Sequence, residues 1–220
     1  MDFERWEPYY LRILSEFGYS RAEDEKAARI IDSLVPDENI ISIEEICIKD
    51  WSTVSVLGDA PSLSDALKKM KLRGIIVSAG PATARSLELG IIPDLFVTDL
   101  DGPVEADIKA NEKGSIGVIH AHGDNIDRIK TYAERFRKIL LTTQSAPFGR
   151  LHNFGGFTDG DRAVMMARHL GAKTIDLVGF DFESPTLKEG SEPNTKRKKL
   201  QWAKRLIFEE NPDDVIIRMV

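Results

Sequence analysis

The 220-residue chain carries 30 Lys and Arg against 36 Asp and Glu, a formal net charge of -6, with 42% hydrophobic and 30% charged residues. Such a composition belongs to a soluble globular protein of one generous domain, and its acidic balance argues against a nucleic-acid binder that works through a whole-domain basic field. One cysteine, Cys47, excludes an internal disulfide and any cysteine-based zinc site; within the apolar stretch IISIEEICI it is expected to be a buried structural thiol.

The N-terminus, MDFERWEPYYLRIL, has neither a basic leader nor a long apolar run, and no stretch reaches the roughly 18 apolar residues of a membrane span. A cytoplasmic protein without membrane contact is expected. Two amphipathic helices open the chain. One carries Trp6, Tyr9, Tyr10, Ile13, Leu14 and Phe17; after Gly18 the other carries Ala27, Ala28, Ile30, Ile31 and Leu34, and Pro36 closes it. Residues 1–50 read as a helical segment that covers the main sheet or supplies the contact of a homodimer.

From residue 51 to 220 the texture is that of an α/β domain. Short β-branched runs are TVSVL (53–57), GIIVSA (74–79), LFVTD (95–99), IGVIHAH (116–122), KILLTT (138–143), TIDLVGF (174–180) and DVIIRMV (214–220). Helical patterns lie between them, near 62–71, 83–90, 104–112, 125–137, 160–170 and 194–209. The alternation predicts a mainly parallel, Rossmann-like sheet with helices on both faces, and an antiparallel edge for the last strand. In such a sheet ligands bind beyond the carboxyl ends of the strands. Glycines, acids, amides and histidines gather there, and polar chemistry is therefore expected along one edge.

The first turn, VLGDAPSLSDAL, and the second, VSAGPATARSLELG, each place glycine near a strand end and a hydroxyl residue near a helix start. Gly58, Ser62, Gly80 and Thr83 are the candidate nucleotide-binding residues, on the ground that bare N–H groups favour anions; ordinary capped turns are the alternative. Neither turn matches a dinucleotide or Walker fingerprint.

In PDLFVTDLDG, Asp99 and Asp101 stand one residue apart, so extended backbone would aim both carboxylates at one cation, Mg²⁺ by preference. The alternative is a polar turn with Asp101 capping the next helix. In HAHGDN, His120 and His122 are in phase on a strand and admit a zinc-hydrolase reading, while Asp124 as a third carboxylate near the pair is more economical. GFTDGDRAV brings Asp159 and Asp161 to a helix start behind a glycine-rich loop. The basic run KRKKLQWAKRL reads first as a solvated helix face, with a cation reaching a triphosphate as the second reading.

Taken together, GDAPSL (58–63), IIPDLFVTDLDG (91–102), HAHGDN (120–125), GFTDGDRAV (156–164) and VGFDF (178–182) make the chain resemble the archaeal 6-hydroxymethyl-7,8-dihydropterin pyrophosphokinases, distant relatives of thiamin pyrophosphokinase. The resemblance covers about residues 53–183 and weakens through the basic helix. It implies a thiamin-pyrophosphokinase-like fold and Mg²⁺-dependent transfer of diphosphate from ATP to a reduced pterin, releasing AMP, in folate-type or methanopterin-type cofactor synthesis. It also implies Asp99, Asp101 and Asp124 as catalytic metal ligands. His120 and the turn VSAGPATAR depart from the related pattern. A pterin presents adjacent N–H donors, which carboxylates accept in pairs; His122, Asn125, Asp159, Asp161 and Asp181 are the candidate substrate contacts.

Three other classes compete. DLDG after an apolar strand also resembles the first motif of haloacid-dehalogenase-type phosphatases, although two βα units precede it and Pro103 follows. A nucleotide-sugar glycosyltransferase and a non-catalytic nucleotide- or pterin-binding module complete the set.

Overall fold

The computed structural model describes residues 1–184 and 192–220. Within them no helix is long and apolar enough to cross a membrane. Helix α1 (Phe3–Phe17) starts where the Asp2 carboxylate accepts the Arg5 N–H and ends at Gly18 in the left-handed conformation. Helix α2 (Arg21–Leu34) follows, then a short α3 (Ile43–Cys47). The strands and helices of the α/β unit are β1 (Thr53–Leu57), α4 (Leu63–Lys69), β2 (Ile75–Ala79), α5 (Ala82–Glu88), β3 (Leu95–Thr98), α6 (Val104–Glu112), β4 (Ile116–Ala121), α7 (Ile126–Tyr132), β5 (Ile139–Thr143), β6 (Leu151–His152), α8 (Asp159–His169), β7 (Thr174–Val178), α9 (Pro193–Phe208) and β8 (Ile216–Met219).

Among the described residues the strands form one sheet in the order β6-β5-β4-β3-β2-β1-β7-β8, and every pairing is parallel. A parallel sheet must be covered on both faces, and the side-chain alternation shows how. Val54, Val56, Leu95, Val97, Val118 and Leu140 point to one face and meet α8 and α9 through Ala163, Val164, Met166 and Ile207. Phe96, Ile119, Ile139 and Leu141 point to the other and meet α2, α6 and α7. Ala27, Ala28 and Ile31 of α2 belong to that second cluster, so the N-terminal helices share a core with the sheet instead of standing apart from it.

Three expectations change. The last strand is parallel, not antiparallel: α9 lies between β7 and β8 in the chain and acts as a crossover, so the chain re-enters the sheet in the same direction. The two-residue β6 and the one-turn α3 lack the length for a periodic signal; α3 is set by a capping box in which Ser42 and Glu45 exchange backbone and side-chain hydrogen bonds. Cys47 is exposed. In α3 the inward position is taken by fully buried Ile46, and the next residue is rotated by a third of a turn toward solvent.

Candidate active site

The carboxyl ends of β1, β2, β3 and β7, the start of α8 and one face of α9 enclose a cleft of about 200 Å³. Gly58, Gly80, Asp99, Asp101, Asp159 and Asp181 line it, and so do Lys196 and Lys199. The basic run is thus divided by helical period: positions 196 and 199, three apart, share the cleft-facing side, while Arg197 and Lys198 are exposed. Lys199 Nζ also lies 5.5 Å from the Phe157 ring centre and 5.6 Å from that of Tyr19, which holds it across the opening.

The aspartate pair is built by a bend and not by extended backbone. Leu100, fully buried, has φ 65°, in the left-handed region that a leucine seldom occupies. Its N–H donates to Thr98 Oγ1 at 3.0 Å, its carbonyl accepts Arg128 Nη1 at 2.8 Å, and the Asn125 amide donates to the Asp99 carbonyl at 2.7 Å. The Asp101 N–H then donates back to Asp99 Oδ1 at 3.1 Å. Both side chains still reach the same cleft, but a strained turn braced from three sides brings them there.

Asp99 Oδ2 faces His122 Nε2 at 3.3 Å and Arg162 Nη1 at 4.0 Å. Burial opposes its charge, but the His122 hydrogen bond and the charges of His122 and Arg162 outweigh burial and hold the carboxyl well below the usual carboxylate range. The neighbouring Asp159 goes the other way: burial and the Asp99 charge push it well above its ordinary value, although Arg162 Nη1 lies 3.2 Å from its Oδ1. The same buried guanidinium thus faces two carboxyls whose proton affinities are driven apart, Asp99 downward and Asp159 upward. Arg162, only 7% exposed, was not singled out in the sequence, where an arginine in the first turn of a helix gives no signal.

Beneath the pair, Asp107 of α6 accepts Thr98 Oγ1 at 3.0 Å and is 1% exposed. Burial, opposed by Thr98 and Thr83 and reinforced by the charges of Asp99 and Asp101, raises it to about 7. Since the folded carboxyl holds its proton to higher pH than the unfolded one, this group's contribution to stability falls as pH rises from about 4 through 7. The melting temperature of Asp107→Asn relative to the wild type should therefore rise steadily from pH 4 to pH 8; thermal unfolding across that range checks this.

Other candidates are placed differently. Asp161 is buried and its carboxylate is used by its own loop, accepting the Phe157 and Thr158 N–H groups at 2.6 and 2.8 Å and the Thr158 hydroxyl. Asp181 likewise accepts the Glu183 and Ser184 N–H groups at 2.8 and 2.9 Å. Asn125 is buried and fastens the Asp99 and His120 carbonyls. His120 turns inward to Thr142 Oγ1 at 3.0 Å, and burial depresses its imidazole well below the ordinary value. Thr83 is buried against Ser78 Oγ at 2.8 Å, and Ser62 is an exposed residue at the start of α4 that does not line the cleft.

The two glycines form cleft wall without offering their N–H groups. Gly58 donates to Val178 O and Gly80 to Val97 O. A Cβ on Gly58 would lie 2.7 Å from Gly179 O and 2.8 Å from the Phe180 ring, and one on Gly80, at φ 53°, would lie 2.9 Å from Asp159 Oδ2. Close approach, not an anion nest, requires glycine there. Asp59, beside Gly58, pairs with Arg85 at 2.8 Å.

His122 and Asp124 line a second cavity of about 190 Å³ with Gly18, Tyr19, Ser20, Glu23, Asp24, Gly123 and Gln144. Asp124 is therefore on a different wall from the Asp99 and Asp101 pair. Among the described residues no three His, Cys, Asp or Glu side chains form a group that could hold a metal ion. An all-protein cage is not what Mg²⁺ needs, however: it takes one or two carboxylates and completes its shell with water and substrate phosphate oxygens. Two cleft carboxylates, one of them held ionised, are that donor set.

A family model described as 6-hydroxymethylpterin diphosphokinase MptE-like matches residues 32–186. A Pyrococcus furiosus protein named 6-hydroxymethyl-7,8-dihydropterin pyrophosphokinase is 42% identical over 217 residues, covering 94% of this chain and 93% of its own. A Methanothermobacter thermautotrophicus protein of the same name is 40% identical over 227 residues, covering 97% of each chain. Among solved structures, a Maf glycosyltransferase from Magnetospirillum magneticum AMB-1 superposes with a TM-score of 0.57 at 17% identity, over 90% of this chain and 38% of that one, a likeness of fold.

Proposed function

The chain belongs to the 6-hydroxymethylpterin diphosphokinase MptE-like family, and from that premise we infer that it transfers diphosphate from ATP to 6-hydroxymethyl-7,8-dihydropterin, releasing AMP. The observation that carries the reading is similarity over nearly the whole chain to relatives of that one name. The cleft supplies what the reaction requires. Diphosphate transfer needs positioning and charge neutralisation, with no protein nucleophile.

We assign Asp99 and Asp101 as the residues that would hold Mg²⁺, whose chemistry when bound is to draw charge from the polyphosphate oxygens. Lys196 and Lys199 stand on the same cleft and would offset the remaining phosphate charge. His122 and, behind it, Arg162 favour the charged form of Asp99 without either being on the cleft lining. The pterin diphosphate formed would enter folate-type or methanopterin-type cofactor synthesis.

The glycosyltransferase likeness extends over little more than a third of that longer chain and concerns the shared domain only. A haloacid-dehalogenase-type phosphatase would need Asp99 as a nucleophile and would release phosphate without AMP. Purified protein with ATP, Mg²⁺ and the hydroxymethylpterin is expected to give equimolar AMP and pterin diphosphate on chromatography. Phosphate without AMP, or binding without turnover, would overturn the assignment.

A further inference from the structure

Two cavities meet at the Asp99–His122 contact; acids line both, and only one of the two linings also carries cations. The cleft holds Lys196 and Lys199 beside its acids, whereas the second cavity is lined by Glu23, Asp24 and Asp124 with neither Lys nor Arg. A polyphosphate therefore finds ammonium groups to receive it only in the first, where Lys196 and Lys199 stand, and meets acids without a lining cation in the second. A neutral heterocycle whose edge is rich in N–H donors has the reverse preference, because carboxylates accept such donors in pairs.

The second cavity is also built rigidly. Asp24, 2% exposed, accepts the Gly123 N–H at 2.8 Å, the Tyr10 hydroxyl at 2.7 Å and the Gln144 amide at 2.8 Å. These bonds tie α1 and α2 to the loop that carries His122 and Asp124. Tyr19 supplies an aromatic wall, and its ring lies 5.6 Å from the Lys199 ammonium, which lines the cleft. The cavities thus adjoin at Tyr19–Lys199 as well as at His122–Asp99. Asp24 is taken up by those three bonds, and Glu23 accepts Lys26 Nζ at 3.0 Å in a solvent-exposed pair that a ligand contact can replace at little cost. In the cleft, Asp159 and Asp181 are likewise called on, by Arg162 and by loop N–H groups.

We propose that the second cavity seats the pterin ring, with Asp124 and Glu23 accepting its N–H groups and its hydroxymethyl arm passing His122 to the phosphates in the cleft. The N-terminal helices then form half of the acceptor-substrate site. This assignment rests on the pyrophosphokinase reading, in which two substrates must meet at Asp99.

The test is Glu23→Lys, which reverses the charge of one wall residue on the exposed side of α2. Binding of 6-hydroxymethyl-7,8-dihydropterin and of ATP would be titrated separately by calorimetry, and both KM values measured. The expected result is a pterin Kd and KM raised about tenfold or more, the scale of one lost charge-assisted contact, with the ATP values within about twofold of wild type. Ser20→Phe, which fills the same cavity from its rim, should act alike if E23K does not fold. A rise in the ATP values alone, or unchanged pterin binding in both variants, would overturn the proposal. Wild-type protein that binds the pterin without ever forming AMP would instead overturn the pyrophosphokinase reading, while the binding titrations would still locate the pterin.

Discussion

Asp99→Asn is expected to lower kcat by about a thousandfold or more, roughly 4 kcal/mol of transition-state stabilisation, while leaving the melting temperature nearly unchanged. Asparagine keeps the oxygen that accepts the Asp101 N–H, so the turn around Leu100 survives. It removes the one carboxylate that the surroundings hold ionised. The loss to Arg162 is eased locally: after burial, the Asp99 charge is the next cause that raises Asp159, so its removal favours the Asp159 carboxylate beside the guanidinium. A purely turn-forming role for Asp99 predicts that D99N keeps both its melting temperature and its activity, because asparagine retains the accepting oxygen. Steady-state rates together with thermal unfolding separate the two, and D99N activity within tenfold of wild type would remove Asp99 from the metal site.

The pair was legible in PDLFVTDLDG because two acids after an apolar run are costly unless used. Its geometry was not legible, since a left-handed leucine leaves no mark in sequence and depends on Thr98, Arg128 and Asn125 arriving from β3, α7 and the loop before it. The alternation of β-branched runs with helical patterns made the parallel sheet and its active edge legible, because each run is a local property and strands covered on both faces are apolar nearly throughout. Strand direction at β8 depended on a crossover that only the packed helix α9 reveals. Local reading likewise did not show that the Asp161, Asp181 and Asn125 side chains hydrogen-bond the backbone of their own loops. Polar residues beyond a strand end serve either a ligand or the loop's own N–H groups, and spacing does not distinguish them. The second cavity needed residues from the turn after α1, from α2 and from the loops after β4 and β5 at once, and its Asp24 stood in a helix that looked purely structural.

Arg162→Met should be the most damaging change away from the cleft lining. The guanidinium is 7% exposed and reaches Asp159 Oδ1 at 3.2 Å, Gln144 Oε1 at 3.4 Å and Asp99 Oδ2 at 4.0 Å. Methionine fills similar space but leaves the acids without their cation, and breaking a buried pair costs about 3–5 kcal/mol. A fall in unfolding free energy on that scale is expected in urea, accompanied by a drop in kcat of about a hundredfold at neutral pH. The pH profile decides whether the kinetic loss is only a symptom of instability. Arg162 lowers the pKa of both Asp99 and Asp159. Without it the pair keeps a proton to higher pH, so the fraction with ionised Asp99 falls most on the acidic side. The defect of R162M should therefore be larger at pH 6 than at pH 9, and Arg162→Lys, which restores a charge without the planar fork, should recover part of it. A deficit equal at both pH values would mean that Arg162 acts through packing alone, and that the His122 contact suffices to keep Asp99 charged.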